Sequence, residues 1–82
     1  MKNPTMRAKL QIASVVSGEG YEQLKLTAVC KSGGYPADGS DEDNSFAKWT
    51  PTANLEMTIN NPALHGKFKQ GQKFYVDFTE AE

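Results

Sequence analysis

Four carboxylates crowd one short stretch of an 82-residue chain, with Asp38, Asp41, Glu42 and Asp43 inside six consecutive positions. Such a density supplies the hard oxygen ligands that calcium takes, or a negative surface for a basic partner. The calcium-loop register that starts at Asp38 ends on Trp49, and the one that starts at Asp41 ends on Thr52. Neither residue can close the site as a bidentate acid, so no metal ligand is assigned and the stretch is expected to be a charged, solvated loop. Tyr35 and Trp49 flank it. Together Tyr35, Asp38, Asp41, Glu42, Asp43 and Trp49 are the candidate partner-binding surface, fit to mimic nucleic acid or to engage a basic groove on another protein.

Cations and aromatics make a second constellation. Arg7, Lys9, Lys25 and Lys31 fall on outward positions of the first two expected strands, with Lys73, Tyr75, Trp49 and Tyr21 near them. Cations that follow phosphates and rings that stack bases are what a single-stranded nucleic-acid platform needs, and Arg7, Lys9, Lys25, Lys31, Lys73 and Tyr75 are its candidates. Lysines at outward strand positions also guard sheet edges against aggregation. The net charge of −1 and pI of 5.8 give nucleic acid no global support. That near-neutrality hides a dipole: without the four loop acids, six acids face nine Lys and Arg, leaving a body of +3.

Chemistry of the catalytic kind finds few candidates. His65 is the single histidine and Cys30 the single cysteine, too few for a zinc site or an intrachain disulfide. Gly33-Gly34 lacks the helix and lysine of a phosphate loop, and Gly18-Glu19-Gly20 belongs to a hairpin. No catalytic residue and no cofactor is assigned, and a non-enzyme is expected. Cys30 is expected to be a small buried apolar residue in a reducing cytoplasm. Behind Lys2, Asn3, Pro4 and Thr5 there is no apolar run of secretory type, and no segment is apolar enough to enter a membrane.

The elements that must position these residues follow from period-two alternation. Met6, Ala8, Leu10 and Ile12 are apolar where Arg7, Lys9 and Gln11 are polar, which predicts a strand with one buried face that runs weakly on to Val16. Ser17-Gly18-Glu19-Gly20 predicts a hairpin. Leu24, Leu26, Ala28 and Cys30 then face the core, opposite Lys25, Thr27, Val29 and Lys31. A loop rich in glycine and acids spans residues 32–44. Ser45 to Trp49 is a short aromatic strand ended by Pro51, and Ala53, Leu55, Met57 and Ile59 mark the clearest strand. Asn61-Pro62-Ala63-Leu64-His65-Gly66 predicts one helical turn, and Phe74, Val76 and Phe78 a closing strand. The fold class is therefore all-β: a small antiparallel sheet or a five-stranded OB-like or SH3-like barrel with one short helical turn, formed by residues 6–82 behind a flexible extension of residues 1–5. So few strands leave edges open, and a homo-oligomer is expected.

The string from Tyr35-Pro36 through Asp38-Gly39-Ser40-Asp41-Glu42-Asp43-Asn44 and Phe46-Ala47-Lys48-Trp49-Thr50-Pro51, with Asn61-Pro62-Ala63-Leu64, Gly66-Lys67-Phe68 and Phe74-Tyr75-Val76-Asp77-Phe78, resembles small proteins of tailed bacteriophages and prophages. The resemblance spans Met6 to the last residue and carries no assigned activity. It implies an accessory task in the host cytoplasm, such as binding a host or phage protein, or a small ligand, in takeover or anti-defence. A place in the virion as a decoration protein that adds strands to a neighbour is the structural alternative.

Overall fold

A computed structural model of the chain describes residues 3–31 and 33–82. Met1 and Lys2, in the expected extension, and Ser32, which opens the expected loop, lie outside the described residues. Among the described residues four strands form: β1 (Met6–Gly18), β2 (Tyr21–Ala28), β3 (Asn54–Ile59) and β4 (Lys73–Phe78). All pairings are antiparallel and the order across the sheet is β3-β2-β1-β4. Three strands joined in sequence, with the fourth returning beside the first, make a Greek key. The sheet is open, with β3 and β4 as its edges, so the five-stranded barrel is not the architecture. The Ser45–Trp49 stretch is not a strand: Ser45 N–H reaches the Arg7 carbonyl of the first strand, but Ala47 N–H turns back to the Asn44 carbonyl and Trp49 N–H to that of Gly39. No described helix is long and apolar enough to cross a membrane.

The β1–β2 hairpin closes through Glu19-Gly20, between the Gly18 and Tyr21 partners, and Gly20 takes the φ of +82° that such a tight reversal needs. Along β1 the alternation puts Ala8, Leu10 and Ile12 into the core with Leu24 and Leu26 of β2 and Ile59 of β3. A bulge then interrupts the register: Ile12 faces Leu26 but Ser14 faces Lys25, leaving Ala13 extra. One extra residue reverses the facing of everything beyond it. Val15, opposite Leu24, packs on the core, whereas Val16, expected to continue the buried face, is exposed. Cys30 is also exposed, against expectation, because β2 ends at Ala28 and the chain leaves the sheet before reaching it.

Joining β3 to β4 takes the chain across β2 and β1 on the apolar face. Asn61 caps a single 3-10 turn, Pro62–Leu64, by accepting the Ala63 N–H at 3.1 Å, as the sequence predicts. His65 Nε2 meets the Ile59 carbonyl at 3.0 Å. The buried Glu22 carboxylate accepts the Gly66 N–H at 3.2 and 3.3 Å. Phe68 lies against the core and against Phe74, ring centroids 5.6 Å apart, and Gly71 N–H returns to the Ile12 carbonyl at 2.9 Å.

Candidate functional site

β1 reaches back to Met6 while β2 stops opposite Leu10, so the backbones of Arg7 and Lys9 lose their neighbouring strand on that side. Buried peptide groups must find partners, and the long β2–β3 connection supplies them. Val29 N–H donates to the Lys9 carbonyl at 2.9 Å and Ser45 N–H to the Arg7 carbonyl at 2.9 Å. Arg7 N–H donates to Ser45 Oγ and Lys9 N–H to Asn44 Oδ1, both at 2.8 Å. The acidic stretch is thus a strap laid along β1 in place of a strand.

Asn44 is the centre of that strap and has no exposed surface. Its side-chain amide acts as an inserted peptide unit: Oδ1 accepts from Lys9, while Nδ2 donates to the Val29 carbonyl at 2.7 Å and to Asp41 Oδ2 at 3.2 Å. Asp41, only 4% exposed, has no cation against it among the described residues. It accepts from the Asp43 and Asn44 amides at 3.0 and 3.1 Å, from Asn44 Nδ2, and from Tyr35 Oη at 3.1 Å. Burial pushes its carboxyl up, but the donors from Asn44, Tyr35 and the two amides outweigh burial and hold it below the usual range. Tyr35 is raised, by burial first and then by its bonding to Cys30 and Asp41.

The remaining acids also turn inward. Glu42 pairs with Lys31 at 2.9 Å, and that bond holds its carboxyl low. Asp43 meets Lys9 at 3.4 Å and accepts from Tyr75 Oη at 3.1 Å. Asp38 accepts the Ser40 N–H at 3.0 Å, which lowers it. On the polar sheet face Arg7 grips Asp77 with two bonds of 2.7 and 3.0 Å and lies 4.5 Å over the Tyr75 ring centre. Lys25 reaches Glu56 at 3.7 Å. The structure therefore gathers Arg7, Lys9, Asp43 and Tyr75 into one network, with Asp77 added. It sets Lys25 on the polar face beside β3 and Lys31 on the strap. Of the nucleic-acid candidates, Arg7, Lys9, Lys25 and Lys31 each face a carboxylate, and a phosphate would have to displace it; Lys73 makes no ion pair among the described residues. Water screens the exposed Arg7–Asp77 and Lys25–Glu56 pairs, so they organise the surface more than they stabilise it, whereas Lys9 and Asp43 are largely shielded.

Trp49 stands apart. Half its surface is exposed (51%), and its backbone is left-handed at φ +64°, a conformation that costs an ordinary residue about 1–3 kcal/mol. It is held there by its N–H on the Gly39 carbonyl at 2.9 Å. Its indole lies flat on Gly39, where a Cβ would run into the ring and where φ is itself +73°. Tyr35 tilts against it at 6.0 Å between centroids. Because Tyr35 is bonded to Asp41, the aromatic pair rests on the buried centre of the strap. Asn44 and Gly39 are the parts that residue types alone do not single out. The available signal is Asp41-Glu42-Asp43-Asn44, where an aspartate can accept the amides two and three residues ahead.

No three described His, Cys, Asp or Glu side chains group to hold a metal ion. No protein-family model, curated protein or solved structure matches the chain.

Proposed function

We propose that the chain is a non-catalytic binding module that engages a protein partner through Trp49 and Tyr35 at the outer side of the strap, in an accessory role of the phage type its sequence resembles. The observation that carries this is the conformation of Trp49. A large aromatic residue held exposed in the left-handed region is strain at the surface, and strain of that kind collects at binding sites. Exposed indoles seated in a partner's apolar socket are the commonest energetic anchors of interfaces. The strap is ordered by its own bonds, so the pair is presented without an ordering penalty on binding. Glu42 and Asp38, the exposed acids of the strap, set a negative rim that favours a basic socket. Single-stranded nucleic acid is the weaker proposal, since its main cations sit in ion pairs.

Affinity capture from host lysate with the wild type, Trp49→Ala and the exposed control Val16→Thr tests the assignment. A partner held by the wild type and by Val16→Thr is expected to be lost with Trp49→Ala, whose single truncation should weaken binding by about 2 kcal/mol or more. A partner retained by Trp49→Ala would remove the indole from the interface.

A further inference from the structure

All four strands send their apolar side chains to one face of the sheet: Ala8, Leu10 and Ile12, then Leu24 and Leu26, Leu55 and Met57, and Phe74, Val76 and Phe78. The opposite face is polar. Among the described residues, Phe68 of the β3–β4 crossover and the side chains of Phe46 and Ala53 pack on the apolar face. Between them a groove of about 130 Å³ runs over Ala8, Leu10 and Val76, walled by Met6, Leu55 and Phe78. Met57, Phe74 and Phe78 remain exposed on that face.

The shape of the whole chain carries the same deficit. It measures 48 × 31 × 16 Å with a radius of gyration of 14.6 Å, where a compact domain of this length has about 12 Å. Its accessible surface is 5854 Å², against about 4,900 Å² for a compact monomer of this mass. The surplus of about 1,000 Å² is the size of the patch, about 800 Å², that each partner buries in a stable interface.

We propose that this face is covered by a second copy of the chain, laid sheet on sheet across the groove to complete a two-layer β-sandwich. Four-stranded Greek keys are the halves of such sandwiches, and two apolar faces about 10 Å apart make the missing core. A second copy fits better than a charged partner because no residue that lines the groove is charged, so identical grooves meet without repulsion. The surface is separate from Trp49 and Tyr35, so either assignment can fail alone.

Sedimentation of the wild type across the micromolar range is expected to show a monomer–dimer equilibrium with a dissociation constant of about 1 µM or tighter. Phe78→Lys, on an exposed position, is expected to be monomeric with an unchanged far-ultraviolet circular dichroism spectrum. Hydroxyl-radical footprinting of the wild type needs no variant: labelling of Met57 and Phe78 should fall severalfold as the dimer forms, while Tyr75, on the polar face, keeps its labelling. A wild type that stays monomeric at about 100 µM overturns the proposal, since a dimer with that constant would dominate there. A dimer that survives Phe78→Lys, or one that protects Tyr75 in place of Phe78, overturns it equally.

Discussion

Asn44→Ala is expected to lower the stability of the protein by about 3–4 kcal/mol, because it leaves the Lys9 N–H and the Val29 carbonyl without those partners and takes one of two donors, the other being Tyr35 Oη, from Asp41 Oδ2. A domain of this length has in total about 4–12 kcal/mol, so the loss takes a large share. Thermal midpoint should fall by roughly 15–25 °C at the usual sensitivity of small domains. Urea denaturation gives the free energy directly. Asn60→Ala, an exposed asparagine just past β3, is the control and should stay within about 0.5 kcal/mol of the wild type. An Asn44→Ala protein within that same margin would mean the strap does not carry the β1 edge.

Asp41→Asn should destabilise by about 2–3 kcal/mol at neutral pH, since the carboxylate is a charged acceptor for four donors and an amide nitrogen would face the Asn44 Nδ2. The effect has a pH signature. Asp41 has its carboxyl held low in the folded state, so its contribution is present in full above the unfolded value of about 3.9 and is lost as pH falls through the lower folded value. The gap between the wild type and Asp41→Asn is therefore expected to be constant from neutrality down to about pH 4 and to close below it. Asp77, held low by the Arg7 bond, loses stabilisation in the same way in both proteins and does not alter the gap. A gap that stays constant well below the unfolded value would show that Asp41 is not held as a bonded carboxylate.

These two residues also mark where the sequence stops being legible. Strand positions are written in local alternation, which is why β2, β3 and β4 lie close to where the apolar periods put them, and why Asn61-Pro62 announces its turn. A bulge has no such mark: Ile12, Ala13, Val15 and Val16 are all apolar, so either phase fits the pattern, and only the pairing with β2 selects Val15. The order β3-β2-β1-β4 depends on contacts between distant segments, which no local period encodes. Cys30 continues an alternation that has already lost its partner strand. The strap shows the same limit in chemical form. Its acids are plain in the sequence as charge, but their partners Lys9 and Tyr75 come from β1 and β4, and the backbone groups that Asn44 completes lie 35 and 15 positions away. The dipole inferred from composition is accordingly closed in part within the chain, by Glu42 on Lys31 and Asp43 on Lys9, while Asp38 and Asp41 are satisfied by neutral donors.

That the acidic stretch is a bonded strap, and so a fixed platform for Trp49, is tested most directly by amide hydrogen exchange read residue by residue in the wild type. The Lys9, Asn44 and Ser45 amides, bonded respectively to Asn44 Oδ1, Asp41 and the Arg7 carbonyl, should exchange as slowly as that of Leu26 in the central sheet, to within about one order of magnitude. If they instead exchange as fast as the amide of Glu19 at the hairpin tip, the stretch is a free loop and the platform does not exist.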